Sequence, residues 1–197
     1  QEILEKLAEK DKKLTVILHS RNFGAQNAFT TGMKQAKGDA VVIMDGDLQD
    51  PPKLIEKFVN KWLQGYDVVY GVRRKREESM GRIWETLYHL FYVIFSRLSY
   101  VKVPQDVGDF SLMDRVVVDH INSLPENDRF IRGLRAWVGF SQTGVPYTRP
   151  ERFSGKGVST NSIFKGMAWA RKAVFSFSYA PLEWVFYIAI LSVMLSL

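Results

Sequence analysis

Apolar and polar positions along the chain fall into two alternating periods. Leu14 to Ser20 (LTVILHS) is β-branched and apolar, with charge before it and Arg21-Asn22-Phe23-Gly24 after it, and this predicts a strand followed by a loop. Ala25, Ala28, Phe29, Gly32, Met33 and Ala36 then recur at helical spacing, and Gly38 supplies a stop signal. The helix must return the chain to a strand over Ala40 to Met44, so the first unit reads strand, helix, strand with parallel strands. The second unit repeats the logic: Pro52 opens a helix whose face is Leu54, Ile55, Phe58, Val59, Trp62 and Leu63, Gly65 closes it, and Asp67 to Gly71 forms a third strand. Two successive crossovers predict a layered α/β domain with right-handed connections.

Val72 to Gly81 is a highly charged loop, and Ile83 to Leu98 a helix apolar around most of its circumference, which suits burial on several sides or partial immersion in lipid. Asp106 to Asp114 predicts a short half-buried strand, after which Asp114 caps a helix over Arg115 to Ser123. Asp128 is expected to cap a further helix through Phe130, Ile131, Leu134, Trp137 and Val138, ending at Gly139, and Gln142 to Tyr147 is the final strand. Thr148 to Ser159 is a cationic loop, and Ile163 to Phe177 an amphipathic helix. From Trp184 to Leu197 no residue is charged, yet 14 helical residues reach only about 21 Å against a hydrocarbon core of about 30 Å. The segment is therefore expected to be the start of a transmembrane helix, a buried core helix being the alternative. Tyr179, Trp184 and Tyr187 sit where interfacial aromatics belong, and Lys165, Arg171 and Lys172 just upstream favour a cytoplasmic amino-terminal side. The expected organisation is a catalytic domain over 1–147, a cationic loop and juxtamembrane helix over 148–179, and the start of a membrane segment over 180–197.

Composition narrows the chemistry. With no cysteine among 197 residues, a disulfide framework, a thiolate zinc site and a cysteine nucleophile are excluded. The net charge of +6 is clustered, at Arg73-Arg74-Lys75-Arg76, at Arg149, Arg152 and Lys156, and at Arg171-Lys172, which suits anionic lipid or a phosphorylated substrate. Nucleic acid is not expected as a partner, because no recognition motif accompanies these clusters.

The densest chemistry lies in Val41 to Pro52 (VVIMDGDLQDPP), where an apolar run breaks into two acids, an amide and a third acid. Ligand crevices of open α/β sheets lie beyond the carboxyl ends of strands. If the segment stays extended, Asp45, Asp47 and Gln49 share one side and offer hard oxygen ligands for Mg²⁺ or Mn²⁺. The alternative is an acidic turn in which Asp50-Pro51-Pro52 caps a helix.

Ser20-Arg21-Asn22-Phe23-Gly24, Gly38-Asp39-Ala40, Met44 to Pro52, Gly71-Val72-Arg73 and Gly108-Asp109-Phe110 occur in an order and at spacings that resemble the family 2 glycosyltransferases. The likeness is closest to the membrane-attached branch that moves a sugar from a nucleotide onto polyprenyl phosphate, including dolichol-phosphate mannose synthases and bacterial polyprenyl-phosphate glucosyltransferases. The resemblance implies a Rossmann-like, GT-A type layered fold, a UDP- or GDP-sugar donor, a polyprenyl phosphate acceptor and a membrane. It implies that Asp45 and Asp47 hold metal and donor, that Gln49 completes the metal site, and that Arg21 and Asn22 lie on the donor side. Asp109 matches the acid near the reacting sugar, with Asp47 as its catalytic companion, and Arg73, Arg82, Arg152 and Lys156 match cationic positions that grip the acceptor phosphate. Where the family usually shows a serine before that lysine, this chain has Gly155-Lys156-Gly157.

The family also begins with a Pro-x-Tyr-Asn-Glu strand and a second strand ending in Asp-Asp-Gly-Ser. Here Gln1 to Asp11 looks like the helix that follows them, so the chain is expected to be a fragment lacking half its nucleotide pocket, inactive and weak in donor binding by itself. The implied reaction is a single displacement with inversion, in which Asp109 positions the acceptor or stabilises positive charge on the sugar. Two alternatives stand at this point. One is a processive polysaccharide synthase, whose Gln-x-x-Arg-Trp motif Arg132 to Trp137 resembles except that Ala136 separates arginine from tryptophan; the other is a non-catalytic protein holding anionic lipid. Self-association is left open, and His19, His89 and His120 are assigned no metal role.

Overall fold

The computed structural model describes residues 2–74, 98–99, 101, 104, 106–127, 129–150, 171, 174–175 and 177–196. Its elements in chain order are α1 (Glu2–Lys10), α2 (Ala25–Gln35), β1 (Ala40–Ile43), α3 (Leu54–Leu63), β2 (Val68–Arg73), β3 (Val107–Asp114), α4 (Arg115–Ser123), α5 (Ile131–Trp137), β4 (Gln142–Tyr147) and α6 (Ala180–Ser196). The four strands form one mixed sheet in the order β1-β3-β2-β4. β3 runs antiparallel to both neighbours, and β2 and β4 pair in parallel from Val68 opposite Gln142 to Arg73 opposite Tyr147.

Both faces of the sheet are covered, so β3 is apolar and buried along most of its length. Met113 turns into a core with Met33, Val41, Ile43, Val68, Val117, Ile121, Ile131 and Leu134, under α2, α4 and α5. Leu112, its neighbour on the pleat, turns into a second core with Leu54, Phe58, Val69, Phe110, Val145 and Tyr147, under α3. Polar bonds fix the corners. Asp114 Oδ1 accepts from Val116 N and caps α4, as expected, while its Oδ2 accepts from Trp62 Nε1 at 2.7 Å. At the other end of α4, the buried Arg129 guanidinium donates to the carbonyls of Ile121, Asn122, Leu124 and Glu126. Those include carbonyls that a helix terminus leaves without partners.

Several expectations need correction. Residues 14–20 form no strand, and Leu14, Ile17 and Leu18 are exposed. A β-branched run becomes a strand only where another backbone takes up its ladder, and no described strand pairs with it. β1 and β2 are parallel but not adjacent, because β3 lies between them; the sole parallel pairing among the described strands is β2 with β4. The helix expected from Pro52 begins at Leu54, with Lys53 and not Asp50 at its N-cap. The Asp128 cap and the helix over 83–97 fall outside the described residues, as does most of 163–177.

The feature that shapes the site is a break in register on β3. Tyr70 pairs with Ser111 and Val72 with Val107, so β3 passes through Gly108, Asp109 and Phe110 where β2 has Gly71 alone. Such irregularities re-aim side chains beside functional sites, and this one carries Asp109. The space that a side chain on Gly108 would need is filled by the Arg73 guanidinium, 2.7 Å from where a Cβ would stand.

Candidate active site

Beyond the carboxyl end of β1 the backbone turns at once. Residues 46–47 form a turn and Leu48 takes a left-handed φ of 59°. The extended alternation expected for Asp45, Asp47 and Gln49 is therefore absent; a residue in the left-handed region cannot continue a strand. The turn is closed by Gln49 N donating to Asp47 Oδ1 at 3.1 Å, and the buried Gln49 spends its amide NH₂ on the Pro150 carbonyl at 3.3 Å.

Four carboxylates act on one another here. Burial first, then Asp50, Asp47 and Asp109, push Asp45 above its ordinary value of 3.8, and Arg149 works in the opposite direction. Arg149 Nη2 lies 4.0 Å from Asp47 Oδ2. A cluster that raises one of its own members in this way suits a cation, and the donors are the hard oxygens that Mg²⁺ and Mn²⁺ prefer. Among the described residues, no group of three or more His, Cys, Asp or Glu side chains could hold a metal by itself, so Asp45 and Asp47 would need Gln49 or a substrate to complete a shell.

Asp109 faces this loop from β3. Its Oδ2 accepts from Gln26 Nε2 at 3.1 Å and lies 3.6 Å from Arg132 Nη2, whereas its buried Oδ1 has no hydrogen-bond partner among the described residues. Beneath it, Arg135 is only 1% exposed. Its Nη2 reaches the Gly108 carbonyl at 3.5 Å, and its guanidinium lies over the Tyr70 ring at 5.1 Å. Burial pushes Arg135 down to about 10, Asp109 resisting and Arg132 adding to the fall.

A third arrangement joins the acid loop to the cationic strand end. Asp50 is 1% exposed, and its Oδ1 accepts from the Tyr147 hydroxyl at 2.5 Å. The same hydroxyl accepts from Arg73 Nε at 3.4 Å. Burial and the Asp50 contact together raise the Tyr147 phenol, which keeps it a donor.

Arg21 and Asn22 sit elsewhere. Arg21 stacks over the Phe23 ring at 4.1 Å and Asn22 Oδ1 accepts from Gly24 N at 2.8 Å, both on the wall of an open groove of about 520 Å³ with Ile17, His19, Ala25 and Ala28. The first turn of α2 borders this groove and, through Gln26, also touches Asp109. Arg82, Arg152 and Lys156 lie outside the described residues.

The structure thus gathers Asp45, Asp47, Gln49, Asp109 and Arg73 and adds Gln26 and Tyr147, to which the sequence assigns no chemistry, together with Arg132 and Arg135, read from sequence only within a near-match to Gln-x-x-Arg-Trp, and Arg149, read only as part of a cationic cluster. Asp50, a helix cap in the alternative drawn from the sequence, is instead a buried partner of Tyr147. One signal exists for Arg135, which stands four residues after Ile131 on the apolar face of a short helix where a hydrophobe would fit.

The glycosyl transferase family 2 profile matches residues 1–121. An uncharacterized glycosyltransferase of Bacillus subtilis (strain 168) is 42% identical over 190 residues, 96% of this chain and 58% of the relative. An uncharacterized glycosyltransferase of Synechocystis is 41% identical over 189 residues, 94% of this chain and 58% of the relative. A bactoprenol glucosyl transferase of Shigella phage SfV is 37% identical over 183 residues, 93% of this chain and 59% of the relative. The chain thus spans under two thirds of the length of these relatives.

Proposed function

This chain belongs to glycosyl transferase family 2, and from that premise we propose that the whole protein transfers a sugar, with inversion, from a nucleotide diphosphate sugar to a polyprenyl phosphate at the cytoplasmic face of a membrane. The mixed sheet covered on both faces fits a GT-A type fold. The observation that carries the proposal is the site's mixed charge: Asp45, Asp47 and Asp50 on the acid loop and Asp109 on β3, with Arg73 acted on by Asp50 and Asp109, Arg132 beside Asp109 and Arg149 beside Asp47. A reaction between two phosphorylated substrates needs cations for each phosphate and an acid beside the developing positive charge of the sugar. The bactoprenol glucosyl transferase name of a relative supports the acceptor class.

In this reading Asp45 and Asp47, with Gln49, hold Mg²⁺ or Mn²⁺, which when bound offsets the charge of the leaving diphosphate. Asp109 meets the reacting sugar through Oδ1. Arg73, fixed by Tyr147, meets the acceptor phosphate, joined by Arg82, Arg152 and Lys156 from outside the described residues, and Arg21 and Asn22 serve the donor from the groove. A phosphate monoester has a second pKa of about 6, so the acceptor is substantially dianionic near neutrality and needs no strong base.

α6 supports the membrane. Beyond Glu183 in its first turn it carries no charge, and from Leu182 to Leu195 its large apolar side chains stand exposed. Among the described residues no helix is long and apolar enough to cross a membrane; the 17 residues of α6 reach about 25 Å. The processive alternative loses ground because Arg135, the arginine of its near-match motif, is only 1% exposed and so closed to an acceptor.

The test is a panel of UDP- and GDP-sugars with undecaprenyl phosphate, Mn²⁺ or Mg²⁺, and the full-length protein. Labelled sugar should enter the lipid phase and fail to do so in EDTA. Transfer to a hydroxyl acceptor but not to polyprenyl phosphate would overturn the acceptor assignment, and metal-independent lipid binding without transfer would overturn the enzyme.

A further inference from the structure

We propose that Gln26 is a positioning residue that orients Asp109 and ties it to the groove and to the start of α5; the inference rests on the reading of Asp109 as the acid beside the sugar. Both ends of the Gln26 amide are committed. Nε2 donates to Asp109 Oδ2 at 3.1 Å, and Oε1 accepts from Ile131 N at 2.7 Å. Reversing the amide would set oxygen against carboxylate and NH₂ against N–H, so the two partners dictate one orientation.

Asp109 needs such a hold because its backbone lies in the register break of β3, where the regular ladder does not fix it. Gln26 and Arg132 both act on Oδ2, which leaves the buried Oδ1 without a partner among the described residues. A bare buried carboxylate oxygen is costly unless something later meets it, and fixing the other oxygen decides which way the bare one faces.

The second end of the clamp matters equally. Ile131 N opens α5, one of the donors that a helix start leaves unsatisfied, and the N-cap residue Phe130 offers no side-chain acceptor. Gln26 supplies it from another helix. The same helix start carries Arg132, so one amide sets the acid and the origin of its cation together. Gln26 also stands in the first turn of α2, where Gly24, Ala25 and Ala28 line the groove. A shift of that turn by a groove ligand would be transmitted directly to Asp109.

Gln26→Glu separates positioning from support. The glutamate keeps an acceptor for Ile131 N but replaces the donor facing Asp109 with a second acceptor. In the full-length enzyme, with UDP-glucose and undecaprenyl phosphate as probes, kcat should fall about 10- to 100-fold while KM for the donor stays within about twofold. Gln26→Leu, which loses both bonds, should lower kcat similarly and also lower Tm. A readout independent of activity is the thermal cycle with Asp109→Asn. Q26E should lower Tm where Asp109 is retained. Much of that loss should return in the double variant Q26E/D109N, where the introduced amide can donate to the introduced carboxylate. Unchanged kcat in Q26E, or a Tm loss from Q26E that is equal in the wild-type and D109N backgrounds, overturns the inference. If wild type transfers no sugar with any donor, the functional reading falls and the thermal cycle still decides the clamp.

Discussion

Replacing Tyr147 by phenylalanine removes a single oxygen, and the structure fixes what that oxygen does. It donates to Asp50, a carboxylate only 1% exposed, and accepts from Arg73. The ring keeps its place, with Phe110 edge-on at a centroid distance of 6.0 Å and Gly71 beneath it, so no cavity opens. The cost is therefore that of a buried carboxylate left without its donor, about 2–3 kcal/mol. In a protein of this size that corresponds to a fall in Tm of roughly 4–12 °C. Circular dichroism melts near neutral pH should show it, and Asp50→Asn in the Tyr147→Phe background should recover part of the loss, because a neutral amide tolerates burial better than a charge. Loosening Arg73 should also raise KM for polyprenyl phosphate. A Tyr147→Phe protein that melts with the wild type would refute the claim that this hydroxyl holds Asp50, and Arg73 would need another anchor.

Two other substitutions probe different parts of the molecule. Gly133→Ala should destabilise despite better helix propensity: a Cβ there runs into the Phe177 ring and falls 2.6 Å from Phe130. Overpacking of this kind costs about 1–3 kcal/mol against the roughly 1 kcal/mol gained by alanine in a helix, so Tm should fall, and Phe177→Leu should make the alanine tolerable. Asp45→Asn should leave the metal-free protein as stable as wild type or more so in EDTA melts, because it relieves the carboxylate that Asp50, Asp47 and Asp109 crowd. The same variant should lose most sugar transfer, and an active Asp45→Asn enzyme would remove Asp45 from the site.

Elements defined by their own side chains were legible. Helix α4 with its Asp114 cap, β3 over Val107–Asp114, one residue short of the expected start at Asp106, and β4 over Gln142–Tyr147 follow from local pattern. Elements defined by a partner were not. The run over 14–20 has the composition of a strand but no described strand beside it, and the turn at Leu48 depends on bonds to Gln49 and Pro150 that no local periodicity encodes. The acids of the site could be found because they stand close in sequence to glycine and strand signals. Gln26 and Tyr147 could not, since each acts across a separation of 83 or 97 residues, and a lone glutamine in a helix or tyrosine in a strand carries no mark of its task.

The two ends of the acid loop show how such a site can be both stable and charged. Asp50 is almost wholly buried yet satisfied by Tyr147, so it fixes the loop to β4. Asp45, nearer the strand, is half-buried among like charges. If both were satisfied internally, the loop would have little reason to take up a cation; if neither were, mutual repulsion would open it. Fixing one carboxylate with a neutral hydroxyl and leaving the other repelled confines the unfavourable electrostatics to the place where a cation or a substrate's cationic centre can relieve them. Asp109 follows the same rule on the neighbouring strand β3, with one oxygen held by Gln26 and Arg132 and the other left for the reaction.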